Sequence, residues 1–433
     1  MGSAIPRFGG SAFSALSHRP FRLFWIGSTA AQFGFWFSHV SFQALMAEQT
    51  DDELWLAALF IATFAPVAIV GPFGGVLVDR LDRKRVMIGT YVFIAVVALL
   101  QVILVASDIV SPVMLLLTGA GVGCGLAFLG PASGAVVANT VPPSELRSAI
   151  SIGSMSSNLS RIAGPAIAAP LIAAQFYEVT WGLYAAVALI AGLIIRGVTL
   201  FPYESDSDDA RVVERLLSGL RHARERQPAA RALLLTATMS IFGVSHVVVL
   251  PNFTEQALSR PAADFVWLGV ATGAGALFGA FSAGALTGRA SLRRGALLMV
   301  PYSVVLLAFS FAENFWLAIV LQVILGFFYF AGMTTVQIVV QEVIGEEHRG
   351  RVMSLLQICW AGLVPVGSLL IGLLAGDAGL GLGSARAITA VAVVGGLGSG
   401  WILATANRFD RSSSTPNSHE EARSSGNDDS NRV

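Results

Sequence analysis

Twelve apolar stretches, each long enough to cross a bilayer, follow one another between Arg22 and Ala406. A hydrocarbon core about 30 Å thick is spanned by a helix of about 20 mostly apolar residues, whose backbone polar groups are all satisfied internally. Applied along the chain, that rule places spans at 22–47, 54–78, 86–106, 112–139, 149–174 and 179–200, and then at 230–256, 264–288, 294–312, 315–341, 351–376 and 384–406. The expected fold is an all-α polytopic membrane protein with twelve transmembrane helices in two six-helix bundles. Composition agrees: 12% of the residues are charged, against about 25% in soluble domains, and the mean hydropathy is +0.70. The formal net charge is zero, which leaves no case for a nucleic-acid partner. Cys124 and Cys359 both lie in apolar runs and read as small buried thiols rather than a disulfide or a metal site.

Positive charge fixes the expected orientation. With the N-terminus cytoplasmic, that side receives Arg7, Arg19, Arg22, the 79–85 cluster, Arg147, the 211–231 segment, Arg289, Arg293, Arg294, Arg349 and Arg351. The opposite loops keep Arg260 and Arg386 and carry Glu48, Asp51, Asp52, Glu53 and Asp108. Both termini are thus expected in the cytoplasm. No cleavable signal pattern precedes the first span, which is expected to act as its own insertion signal. The organisation is a cytoplasmic N-terminus at 1–21, a first bundle at 22–200, a polar linker at 201–229, a second bundle at 230–406 and a disordered tail at 407–433. In the linker, Val212, Val213, Leu216, Leu217 and Leu220 recur at helical spacing, which predicts an amphipathic helix along the membrane surface. A simple flexible linker is the alternative.

Two internal echoes point to duplication. Gly75-x-x-x-Asp79-Arg80-x-x-Arg83-Lys84 stands between spans two and three, and a worn copy, Gly284 to Arg294, stands between spans eight and nine. Gly288 occupies the place of Asp79 in the copy. Ser38-His39-Val40 in the first span returns as Ser245-His246-Val247 in the seventh, at nearly the same offset. Ionisable groups inside a span usually face a wet cavity, and histidine titrates near neutral pH. His39 and His246 therefore read as pathway groups that couple substrate to protons, or else as neutral histidines bonded within the bundle. Arg161 sits near the middle of span five, where an arginine costs at least about 2.5–3.5 kcal/mol. Its partners are expected among Asn158, Gln32, Gln357, a carbonyl or an oxygen-rich or anionic substrate; a structural arginine satisfied by backbone is the other reading. Phe33, Phe37, Phe42, Phe242, Phe328, Tyr329 and Phe330 offer an aromatic lining.

The 75–84 motif resembles the loop signature between spans two and three of the major facilitator superfamily, with Asp82 where a glycine is usual. That resemblance implies an inner gate built on Gly75, Asp79, Arg80, Arg83 and Lys84; the same arginines read without it merely set topology. Gly164-Pro165, followed by Ala168-Ala169 in place of paired glycines, is similar to the span-five motif of the superfamily's exporters and implies a kink that seals one side of the cavity. With Arg22-Leu-Phe-Trp25 and Asn158…Arg161, residues 15–408 resemble the branch of enterobactin exporters and macrolide efflux proteins. Many of those relatives carry an aspartate just after the glycine of span one, where this chain has Phe35. The resemblance implies a monomeric secondary exporter of an amphipathic small molecule (a siderophore, macrolide or other natural product) in the bacterial cytoplasmic membrane, driven by proton antiport. An importer of the same fold and a non-transporting scaffold or sensor remain the alternatives. No enzyme, ATP, cofactor or metal signature is present in the sequence.

Overall fold

The computed structural model describes residues 13–200, 212–285, 291–344, 352–353, 355–356 and 358–410. The described residues are helical throughout. The first half contains α1 (Arg19–Gln49), α2 (Glu53–Arg80), α3 (Arg83–Ala106), α4 (Pro112–Ala138), α5 (Leu146–Ala173) and α6 (Tyr177–Arg196). A connecting helix α7 (Val212–Glu225) leads into α8 (Gln227–Thr238) and α9 (Leu250–Gln256), which together form the seventh span. The remainder is α10 (Phe265–Ala285), α11 (Leu292–Phe309), α12 (Phe315–Val343), α13 (Val364–Ala375) and α14 (Ser384–Asp410). Among the described residues, ten stretches are long and apolar enough to cross a membrane by length and composition alone. α1 and α5 complete the set of twelve; both carry more polar residues than the others.

The halves repeat one packing scheme. In the first, α1 lies against α5 and α6, α4 against α2 and α3, and α3 against α6. In the second, the seventh span lies against α13 and α14, α12 against α10 and α11, and α11 against α14. Helix starts repeat as well. Asp82 accepts from the Lys84 and Arg85 backbone N–H groups at the head of α3, and Ser291 accepts from the Arg294 N–H at the head of α11. Side-chain caps of this kind satisfy donors that a helix start leaves unpaired. Apolar residues such as Leu117, Leu193, Phe311 and Leu397 point outward. In water such a surface would drive association, whereas here it is the face that meets lipid.

The seventh and eleventh spans are not the continuous helices that the hydropathy predicts. The seventh passes through a wide π-turn at Met239–Gly243 and a tight 3-10 stretch at Val244–Val249 before α9. The eleventh has a π-turn at Ile358–Gly362 before α13. Pro251 accounts for the 3-10 stretch and Pro365 for the π-turn of the eleventh span: each lacks the N–H that would bond the carbonyl four residues earlier, so the preceding turn tightens or widens. Neither cysteine is fully buried; Cys124 is exposed and Cys359 half-buried, and both are free thiols.

The halves meet through α2 against α13 and α5 against α10. They are also tied at the acidic end of the bundle, where α1 turns into α2. Asn252 Nδ2 donates to the Asp51 carbonyl at 2.8 Å, while Ser384 Oγ and Gln256 Nε2 donate to Glu53 Oε1 at 2.9 and 3.3 Å. Glu53 is only 4% exposed. Parting the halves at this end requires all three bonds to break.

Candidate functional site

α5 and α1 approach so closely that only glycine fits at 164. A Cβ there would stand 2.6 Å from Trp36 Cβ and 3.2 Å from the Phe37 backbone nitrogen. That contact brings Arg161, one turn earlier on α5, over the Trp36 ring with Cζ 5.2 Å from its centroid. Pro165 has no N–H for the Arg161 carbonyl, the bond a regular helix would make there. From the second half, the π-turn of the eleventh span presents Trp360, whose ring centroid is 4.7 Å from the same Cζ. The guanidinium therefore touches two indoles, one contributed by each half.

The contacts continue in both directions. On the second-half side, Trp360 Nε1 donates to the Tyr329 hydroxyl at 3.0 Å, and the Tyr329 ring lies 5.5 Å from Tyr302. Tyr302 donates its hydroxyl proton to the Gly243 carbonyl at 2.8 Å, and His246 Nδ1 stands 2.8 Å from that same oxygen. The irregular turn in the seventh span leaves this carbonyl able to accept from two side chains. On the first-half side, Trp36 meets His39 edge-on at 5.9 Å. His39 is ringed further by Phe35, Phe60 and Phe64 at 5.1–5.5 Å, and its Nε2 lies 3.1 Å from Gln43 Nε2.

Three residues singled out from the sequence, His39, Arg161 and His246, thus lie on one line of contacts together with Tyr329. Both histidines are 2% exposed. Each keeps one ring nitrogen without a hydrogen-bond partner, Nδ1 of His39 and Nε2 of His246. No hydrogen bond or ion pair is made by the Arg161 guanidinium among the described residues, and its Nε is buried without a partner.

Other residues from the sequence fall elsewhere. Gln32 lines a cavity of about 250 Å³ inside the first half, with Ser28, Phe35, Tyr91, Ser133 and Tyr184 among its walls. Phe33 is half-buried, Phe37 buried and Asn158 exposed. Phe42 turns into the first bundle, edge-on to Trp181 at 5.3 Å, and Phe242 packs against Gly395. Gln357 lies outside the described residues, as do the side chains of Gly75, Asp79 and Arg80 at the end of α2. Past them, Arg83 donates to Asn139 Oδ1 at 3.0 Å and Lys84 to the Val198 carbonyl at 2.8 Å. The basic loop thereby fastens the start of α3 to the chain just beyond α4 and α6. Sequence reasoning missed Trp36, Trp360 and Tyr302. Tryptophan favours the membrane interface, so an indole in mid-span was the available signal.

The transmembrane secretion effector family of the major facilitator superfamily matches residues 10–427. The chain belongs to this family. Macrolide efflux protein A of Streptococcus pyogenes is 27% identical over 354 residues, which cover 77% of this chain and 84% of that protein. The protein of the same name from Enterococcus faecalis is 28% identical over 323 residues, covering 70% and 96%. A bacterial homologue of the human lysosomal transporter Spinster, solved inward-facing and unoccupied, shares the fold with a TM-score of 0.71 at 15% identity, over 92% of this chain and 99% of that one. A nucleoside transporter does so with a TM-score of 0.64 at 12% identity, over 92% and 100%. This superfamily member is therefore a multi-pass membrane transport protein and not an enzyme.

Proposed function

We propose that this protein exports an amphipathic small molecule (a siderophore, macrolide or other natural product) across a bacterial cytoplasmic membrane by alternating access, acting as a monomer with proton antiport. The observation that carries the reading is the Arg161 clamp. It lies where the two halves meet, at the mid-span depth where transporters of this architecture hold substrate, and one jaw comes from each half. Rocking the halves apart changes the distance between Trp36 and Trp360, so occupancy and conformation are linked. The relatives named for macrolide efflux support the direction. The arginine-rich end is cytoplasmic in this reading, which puts the ties to Asp51 and Glu53 on the outer side.

The test is retention. Bacteria expressing the protein should hold less radiolabelled macrolide or catecholate siderophore than cells without it, and a protonophore should abolish the difference. Equal retention for every compound rejects export, and higher retention indicates an importer.

His39 and His246 carry the protons in this reading, as the two histidines buried on the line of contacts that crosses the halves. In proteoliposomes, the His39→Ala/His246→Ala protein should lose substrate-driven proton movement by at least about a hundredfold, the low end of a positioned acid–base contribution. Wild-type stoichiometry in that variant means the protons travel elsewhere. Asp79 acts as the acidic member of the cytoplasmic gate, with Gly75, Arg80, Arg83 and Lys84. Asp79→Asn should slow transport without changing substrate affinity, and an unaltered rate removes Asp79 from the gate.

A further inference from the structure

We propose that the molecule this transporter carries is an anion, gripped by Arg161 through a carboxylate or a similar pair of acidic oxygens, and that cationic amphiphiles are rejected. The proposal rests on the transport reading above and narrows its substrate class to acidic molecules, which leaves out macrolides that carry a protonated amino sugar. Arg161 is the one charged residue in the twelve spans that does not stand near a span end, and no aspartate or glutamate lies in any span interior. No acidic side chain in a span interior therefore offsets this positive charge at that depth. In a low dielectric such a charge acts strongly on anything that enters, attracting an anion and repelling a cation.

The geometry leaves a particular set of donors open. Arg161 Cζ stands over the Trp36 and Trp360 rings, 5.2 and 4.7 Å from their centroids. Its N–H groups have no acceptor among the described residues, and Nε is buried. A planar fork of N–H donors fits two coplanar acidic oxygens with parallel hydrogen bonds. The Tyr329 hydroxyl already accepts the Trp360 N–H. The two indoles and Tyr329 supply apolar surface for the body of the ligand. The site therefore asks for an acidic head on a flat or apolar frame.

Three probes of one shape and different charge test this: 2-naphthoate, 2-naphthamide and 2-naphthylmethylammonium. Binding is read by tryptophan fluorescence of the full-length protein in detergent, since the site contains two indoles. Naphthoate should bind at least about tenfold more tightly than the ammonium probe, with the amide between them, as expected when one binding partner changes sign beside a fixed charge. Arg161→Gln should bring the three affinities together. Arg161→Lys, which keeps the charge and loses the fork, should keep the order with a smaller spread. Equal or tighter binding of the ammonium probe, an order that survives Arg161→Gln, or no binding by any probe overturns the proposal. Proteoliposome transport separates it from the broader reading. Charge-selective binding without transport of any probe would count against export and leave the anion site standing. Transport of the ammonium probe would keep export and remove the anion selectivity.

Discussion

Replacing Arg161 by methionine should leave the protein at least as hard to unfold and unable to move its substrate. The reason lies in opposing terms of similar size. An arginine at mid-bilayer costs about 2.5–3.5 kcal/mol, and a buried donor without a partner adds roughly 1–3 kcal/mol. Against this, each desolvated cation–π contact returns about 2 kcal/mol or more. The contacts with Trp36 and Trp360 are both present, and the hydrogen bonds that would complete the compensation are absent among the described residues. Methionine fills much of the same space and brings none of the penalty, so the terms nearly cancel and the variant should not unfold more easily. Thermal unfolding in detergent, followed beside a transport assay, checks both halves of the expectation. A fall in melting temperature together with retained transport would make Arg161 a structural residue and remove it from the site.

Substituting Gly164 should do the opposite, harming stability and transport together. A Cβ at 164 would press on Trp36 Cβ and on the Phe37 backbone, and backbone on the α1 side cannot swing away as a long side chain can. Overpacking of this kind costs about 1–3 kcal/mol. The displaced residue is one jaw of the clamp, so transport in Gly164→Ala should fall further than the loss of stability explains. Gly153 on the same helix has no neighbour within 4 Å of an added Cβ. Gly153→Ala should therefore be neutral, or stabilising by roughly 0.5–1 kcal/mol through helix propensity. If the two variants melt and transport alike, the close approach of α5 to α1 is not what positions Trp36.

The fold was legible because bilayer thickness sets span length and twelve apolar stretches meet it. The breaks in the seventh and eleventh spans were not, because hydropathy is blind to whether a turn is regular. Pro251 and Pro365 mark both places, but Pro165 and Pro170 sit inside α5 without interrupting it, so proline alone does not say which helix will break. The site was partly legible. His39, Arg161 and His246 stood out as polar groups in apolar surroundings, and the structure strings them along one set of contacts. Trp36 and Trp360 escaped notice because an indole in an apolar run looks like any other large apolar residue. Asp82, the departure from the superfamily's loop pattern, has a local explanation: it caps α3, as Ser291 caps α11.

The clamp is also where the duplication fails. Gly164-Pro165 corresponds to Val364-Pro365 in the second half, and the place of Arg161 is taken there by Ala361. A cavity between two like halves would, with matched charges, accept a cargo either way round. Here the mid-span charge stands in one half alone. A molecule with distinct ends has one orientation in which its polar head meets Arg161. With Arg161 as the proposed site of the head group, the transporter would read which end of its cargo is which before moving it, and a symmetric molecule with the same head at both ends would enter two ways and gain a statistical advantage of about 0.4 kcal/mol from that choice alone.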